Sequence, residues 1–297
     1  MKKILLFMLL ACVSQGLWAQ YDYYPNGKDE VPVLGMQWGV FGGGYTAMLN
    51  NRDDIDADQR LDPQMMNFNW GAGIEGIYWL QRNIGFGAQA MYWNAGAKYT
   101  GVDTNTKIHL SATTKLTYAK LPILFHFKSY NRYHPNRRTR FNAYFGPYVA
   151  LLQTSSDEVR YTKEDDPNFS QYWNFDNGNY STDGLTGAIS GKLYKPADVG
   201  FVVAIGGEVR LWRKTVVAVH VRADIGVSDI EDKRVKTIEY SNGLKDTNYV
   251  FYSGNYAKYI PPGAAEVLNN WQPNRPATKN FSMGAFLSLR KYFGDKK

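Results

Sequence analysis

The stretch Asp198-Val199-Gly200-Phe201-Val202-Val203-Ala204-Ile205, followed shortly by Thr215-Val216-Val217-Ala218-Val219-His220-Val221-Arg222-Ala223-Asp224-Ile225-Gly226-Val227-Ser228, decides the fold. Val199, Phe201, Val203 and Ile205 fall on one parity, as do Val217, Val219 and Val221 in the second run. A period of two belongs to a strand and not to a helix. The opposite parity carries Glu208, Arg210, His220, Arg222 and Asp224. In lipid the apolar parity faces outward and the charged parity faces inward, which is the pattern of a transmembrane β-barrel.

The rest of the chain fits that reading. No later segment reaches the roughly 18 to 20 consecutive apolar residues of a spanning helix, so a membrane-crossing chain has only a closed barrel available to it. The mean hydropathy of −0.42 agrees, because barrel strands are apolar on one face only. Aromatic residues make up 15% of the chain and there are 28 glycines. Lys2 and Lys3, the apolar run from Ile4 to Val13 and the segment Ser14-Gln15-Gly16-Leu17-Trp18-Ala19-Gln20 have the three regions of a secretory signal peptide. Residues 1–19 are therefore expected to be a signal peptide, with a cut after Ala19 or Gly16, and 20–297 a single barrel domain in the outer membrane of a Gram-negative bacterium. The single cysteine, Cys12, lies in the leader, so the mature chain has no disulfide and no thiolate metal site. The short apolar core ahead of Cys12 argues against a lipid anchor there.

Alternation places strands near residues 33–46, 68–79, 83–97, 113–127, 139–153, 198–211, 215–228 and 280–293. The fold class expected is all-β, an eight-stranded antiparallel up-and-down transmembrane β-barrel with long extracellular loops. Short links (Leu80 to Arg82, Lys128 to Arg138, Trp212 to Lys214) alternate with long ones (Ala47 to Asn67, Lys98 to Ala112, Thr154 to Ala197, Asp229 to Lys279), the usual asymmetry between periplasmic turns and outer loops. The two longest loops are rich in Asn, Asp, Gly and Pro, and short hairpins extending the wall fit within them. Parity assigns Leu34, Met36, Trp38, Val40, Ile74, Leu121, Ile123, Phe125, Phe145, Val149, Leu151, Met283 and Leu287 to the lipid face. Tyr78, Phe86, Phe127, Phe141 and Phe293 form an inner aromatic girdle, and Phe68, Trp70, Tyr92 and Phe281 an outer one.

Thr117-Tyr118-Ala119-Lys120-Leu121-Pro122-Ile123-Leu124-Phe125-His126-Phe127 resembles a strand of the PorT-like outer-membrane β-barrel family of Bacteroidetes, with Lys120 where that family usually carries a carboxylate. Asn142-Ala143-Tyr144-Phe145-Gly146-Pro147-Tyr148-Val149, the Asp198 to Glu208 stretch and Val221 to Ser228 are similar to its following strands. The resemblance implies an accessory or structural component of secretion or outer-membrane assembly machinery, with outer-membrane lipid and envelope proteins as partners.

Inward parity collects a lumen charge network of Glu75, Lys120, His126, Glu208, Arg210, His220, Arg222, Asp224 and Arg290. An eight-stranded barrel is only wide enough for its own side chains, so these are expected to pair as a plug and not to line an open channel. No G-x-S-x-G or H-E-x-x-H context occurs, so no catalytic, cofactor or metal residue is assigned and the chain is expected to be no enzyme. A lipid-modifying enzyme, with Ser228 beside Asp229 or His109, and a narrow gated pore stand as alternatives. Asp54, Asp56, Asp58 and Asp62 alternate like the start of a calcium loop, but Gln59 replaces the turn glycine and Met65 the closing glutamate, which leaves a weak cation site at most. The turn bearing Lys128, Arg132, Arg137 and Arg138 is basic. A merely solvated turn is one reading of it; the other is a contact surface, whose partner in the envelope would be anionic headgroups or a periplasmic protein, and the net charge of +7 implies no nucleic-acid role there.

Overall fold

The computed structural model describes residues 35–51, 62–64, 67–103, 107–130, 138–163, 166–176, 179–182, 185–189, 192–212, 214–234, 236–250, 258–259 and 277–293. The expected signal peptide, Leu34, Asp54, Asp56, Asp58, Arg132 and Arg137 lie outside them.

Strands follow one another along the chain as β1 (Gly35–Asn50), β2 (Asp62–Gln64), β3 (Phe68–Trp79), β4 (Ile84–Asp103), β5 (Ile108–Lys128), β6 (Thr139–Lys163), β7 (Asp166–Asp176), β8 (Asn179–Thr182), β9 (Leu185–Ile189), β10 (Ala197–Trp212), β11 (Thr215–Gly226), β12 (Lys236–Tyr240), β13 (Lys245–Val250), β14 (Lys258–Tyr259) and β15 (Lys279–Phe293). Eight of them, β1, β3, β4, β5, β6, β10, β11 and β15, form an antiparallel ring. Two pairings close it: β6 with β10, from Leu151↔Ala197 to Thr139↔Val209, and β15 with β1, from Phe293↔Met36 to Lys279↔Asn50. Closure leaves no strand edge in the hydrocarbon, where an unpaired amide is costly. All eight strands expected from alternation are present, and β3 spans the residues expected of it.

The outward face within the ring is apolar because lipid is its solvent. Val40, Ile74, Leu121, Phe145, Phe201, Val203, Ile205 and Leu287 are all exposed, and Tyr78, Phe86, Phe127, Phe141 and Phe293 form the inner girdle below them. Phe68, Trp70 and Tyr92 are exposed at the outer rim, whereas Val217 and Phe281 are half-buried.

Beyond the outer girdle the strands reverse polarity. Tyr99 on β4, Leu110, Ala112 and Leu116 on β5 and Val159 on β6 point inward and are buried, while Lys98, Ser111, Lys115 and Arg160 point outward. The wall has passed from lipid into water there, and the sheet follows the ordinary rule of apolar inside and polar outside. At the same level β6 exchanges partners. It pairs with β10 as far as Leu151, and from Ser156 onward with β7. The sheet then continues through β7, β8, β9, β12, β13 and β14, and β2 adds to β4. The segments 154–197 and 229–279, read from sequence as loops, thus hold strands that extend the wall, and β4 and β5 run well into the segment 98–112. Residues 192–196 and 229–234 pack against this extension. Lys195 N donates to Ile230 O at 2.8 Å and Asp232 N to Leu193 O at 2.9 Å. Leu193, Tyr194 and Ile230 are buried in an apolar cluster continuous with that of the lumen.

Candidate functional site: the barrel lumen

Large inward side chains fit eight strands because glycines lie beside them. A Cβ on Gly284 would sit 2.2 Å from Tyr45 Cβ, one on Gly43 2.7 Å from the Phe286 ring and one on Gly200 2.6 Å from the Tyr148 ring. These notches admit an aromatic stack at mid-lumen. The Tyr45 and Trp93 rings lie 4.0 Å apart and nearly parallel, with Phe286 5.8 Å from each.

Around the stack runs one connected polar chain. Lys120 Nζ donates to Asp224 Oδ1 at 2.6 Å. Arg222 grips the same carboxylate through Nε and Nη2, both at 2.8 Å, and donates through Nη1 to Gln89 Oε1 at 2.9 Å. Gln89 Nε2 donates to Glu75 at 3.2 Å, and Glu75 accepts Arg290 Nε at 2.6 Å. Arg290 Nη1 is 3.9 Å from Glu208, which also accepts Asn142 Nδ2 at 3.0 Å. The Lys120 ammonium further sits 3.6 Å from the Tyr148 ring centroid and 4.3 Å from that of Trp93.

Each end of the chain has its own closure. At the outer end Asp198 accepts Tyr148 OH at 3.1 Å, Asn280 Nδ2 at 2.9 Å and the Ser228 hydroxyl at 2.5 Å. At the periplasmic end Lys128 Nζ lies over the Trp79 ring at 3.6 Å and donates to Tyr292 OH at 3.1 Å. Among the described residues of the lumen, the buried cations Lys120, Lys128, Arg222 and Arg290 face four buried carboxylates, Glu75, Asp198, Glu208 and Asp224. The balance explains how so many charges leave water together, since an unpaired buried charge costs several kcal/mol. A cavity bordered by Trp93, Lys120, Tyr148, Asp198 and Asp224 has room for about one water molecule.

Of the nine residues expected in the network, eight are buried in the lumen, while Arg210 is half-buried at its periplasmic end. His126 and His220 do not join the polar chain. They flank the Tyr144 ring at 5.1 and 5.0 Å. Neither ring nitrogen of His220 finds a hydrogen-bond partner among the described residues, nor does Nδ1 of His126. Lys128 corrects the reading of the basic turn: it is the last residue of β5, 3% exposed, and points into the lumen. It shares the parity of Lys120 and His126, a signal that was legible in the sequence, and parity likewise marks Gln89, Asn142 and Asp198. Arg138 is exposed at the start of β6. With Arg82, Arg140, Arg210, Lys214 and Lys291 it makes the periplasmic rim basic. Among the described residues of that rim the one carboxylate, Glu208, is turned into the lumen.

Ser228 spends its hydroxyl on Asp198 and accepts Val199 N at 3.0 Å. Asp229 is held instead by Lys233 at 3.0 Å, Lys195 at 3.5 Å and Thr278 N at 3.0 Å, and His109 lies on β5 in the wall extension, so the imagined grouping is not assembled as a unit. Asp62 lies in β2 opposite Thr100. Among the described residues no cluster of three or more His, Cys, Asp or Glu is arranged to hold a metal ion. In the extension, above the membrane, Asp157 is buried and accepts hydrogen bonds from Thr114 and from Tyr194 OH, the latter at 2.7 Å. Burial raises its carboxyl to about 6, against the lowering effect of those two donors. Asp232 goes the other way: burial raises it, but Arg234 and Lys236 outweigh burial and hold it at about 2.

The sequence matches the outer membrane protein beta-barrel domain family over residues 18–232. No curated protein matches it significantly. Among solved structures it is similar to a major outer membrane protein from Thermus thermophilus, at 10% identity and a TM-score of 0.40 over 86% of this chain and 99% of that one. It is also similar to OprG from Pseudomonas aeruginosa, at 10% identity and a TM-score of 0.32 over 88% and 98%. A third is the outer membrane protease OmpT from Escherichia coli, at 9% identity and a TM-score of 0.39 over 93% and 100%. The match to a protease corrects the expectation that this chain is no enzyme: an enzyme stands among the barrels it is similar to, and at 9% identity the likeness extends to architecture alone. The apolar lipid belt, the closed ring and the matched family together place the protein in the outer membrane, and the chain belongs to the outer membrane protein beta-barrel domain family.

Proposed function

We propose that this barrel is an accessory or structural component of envelope secretion or outer-membrane assembly machinery, of the PorT-like kind, and that it works through its rims and not through its lumen. The observation that carries the reading is the lumen itself, in which three cations and three carboxylates are linked across the barrel through Gln89, with Lys128 and Asp198 closing the two ends. A barrel sealed in this way offers solutes no path, which leaves its two ends to do the work. Outside, β2, β7, β8, β9, β12, β13 and β14 extend the wall beyond the eight-stranded ring. Inside, the periplasmic rim offers the basic turn. The test is a mild-detergent extraction of the full chain, captured through a tag and identified by mass spectrometry. Defined envelope proteins are expected with the wild type and are expected to be lost when Arg132, Arg137 and Arg138 are changed to Gln or the outer extension is shortened. Recovery of the barrel alone, or of the same proteins with every variant, overturns the reading.

A further inference from the structure

Inward parity continues past the floor of the lumen to its periplasmic mouth, and there it collects cations on four adjoining strands, β5, β6, β10 and β11. Lys128 ends β5 opposite Asn142. Arg140 on β6 shares the parity of the buried Asn142 and Tyr144 and pairs with Glu208, and Arg210 on β10 pairs with the buried Val216. Two backbone hydrogen bonds carry the same parity beyond the strands. Arg210 N donates to Arg138 O at 2.9 Å, and Tyr292 N donates to Lys214 O at 2.8 Å, which sets Lys214 opposite the inward-facing Tyr292. Arg138 and Lys214 are exposed, and Arg140 and Arg210 are half-buried. Both half-buried guanidiniums lie within Coulombic reach of the Tyr292 hydroxyl, so they face one opening. The floor of that opening is Lys128 Nζ, over the Trp79 ring at 3.6 Å and bonded to Tyr292 OH at 3.1 Å.

Among the described residues of the mouth the one carboxylate is Glu208, 3% exposed, which already accepts Asn142 Nδ2 at 3.0 Å and faces Arg290. The links 80–83, 128–138 and 212–214 contain no Asp or Glu, and in 294–297 Asp295 is outnumbered by Lys296 and Lys297. A cleft lined by one sign of charge, with low-dielectric walls, focuses its field and concentrates ligands of the opposite sign. Guanidinium forks match carboxylate geometry in two parallel bonds. Because these side chains stand on the lumen parity, they face the barrel axis and not the headgroups around the wall, so their ligand arrives from the aqueous periplasm. An eight-stranded rim is too narrow for a folded domain, so a partner presents its charges there on a protruding segment. We propose, on the accessory reading above, that the mouth docks an extended acidic segment of a periplasmic protein, its carboxylates held by Arg138, Arg140, Arg210 and Lys214.

The test is fluorescence anisotropy of a labelled hexaglutamate peptide added to the full chain in phosphatidylcholine nanodiscs. Saturable binding is expected, with a labelled glycine-serine hexapeptide left free. Arg210→Gln with Lys214→Gln is expected to weaken binding about ten-fold, equivalent to about 1.4 kcal/mol. Lys214→Glu, at an exposed position, is expected to weaken it in the same direction, and heat-modified electrophoretic mobility verifies that each variant is folded. Lys291→Gln, at the same rim but on the outward parity of β15, is expected to leave binding unchanged. Unaltered binding by the folded double variant overturns the proposal. So does a loss with Lys291→Gln as large as that with Lys214→Glu, which places the contact among the headgroups. Displacement of the peptide by millimolar inorganic phosphate at constant ionic strength also overturns it, because the mouth is then a site for a small oxyanion. A wild type that captures envelope proteins from cells but does not bind hexaglutamate overturns this inference and not the accessory reading. A wild type that binds hexaglutamate but captures no protein supports the site and overturns the accessory reading alone.

Discussion

Arg290 is held between Glu75 and Glu208 near the periplasmic end of the lumen and is 1% exposed. Removing it leaves two carboxylates in a dry site, so Arg290→Ala is expected to destabilise the barrel by about 3–5 kcal/mol in urea unfolding from lipid vesicles. Because that cost comes from the orphaned partner and not from a large net gain of the pair, Glu75→Gln with Arg290→Met is expected to recover most of it, and an additive loss would refute the pairing account. Asp157 makes a separate prediction in water. Its folded-state value of about 6 lies above the ordinary 3.8, so the native state binds the proton more tightly than the unfolded one. The contribution is fully present below about pH 4 and is lost as pH rises through 6, by at most about 3 kcal/mol. The protection factors of the amides in 192–195, taken relative to the intrinsic exchange rate at each pH, should therefore be higher at pH 5 than at pH 7.5, and Asp157→Asn should flatten the difference.

At the level of the strand, one chain segment crosses two solvents. β10 lies within the belt, and Val203 faces hydrocarbon at its centre; Val203→Arg is expected to cost about 2–4 kcal/mol in the same vesicle unfolding assay. Ser111 on β5 and Arg160 on β6 occupy the same outward face beyond the girdle, where water is the solvent. Ser111→Arg is expected to change stability by no more than about 0.5 kcal/mol. Equal costs at the two sites would refute the placement of the membrane boundary. The reversal also explains why alternation located the ring strands well and the extension poorly. Within the belt every outward position must satisfy lipid, so Val199 to Ile205 reads cleanly. β8, β9 and β12 are four or five residues long, too short for a period of two to stand out in the sequence.

For the molecule as a whole, the closed ring and the filled lumen make one prediction. Purified barrel in planar bilayers is expected to give no steady ohmic conductance at neutral pH; a stable open channel would show that the polar chain from Lys120 to Asn142 is not a seal. The aromatic stack and the charge pairs share the same glycine-lined space, so loosening one loosens the other. His126 and His220, packed against Tyr144 without hydrogen bonds at three of their four ring nitrogens among the described residues, stand inside this seal.

The sequence alone was enough to determine the ring, its parity, its girdles and the membership of most lumen charges, because lipid tests each outward residue singly and independently of its partners. Even Lys128 was legible once its parity with Lys120 was followed past the end of the expected strand. Which charges pair was a different matter. Glu75 meets Arg290 across 215 residues, and Lys120 meets Asp224 across 104. Those encounters depend on inter-strand register and on the notches that Gly43, Gly200 and Gly284 open beside large rings, neither of which local periodicity encodes.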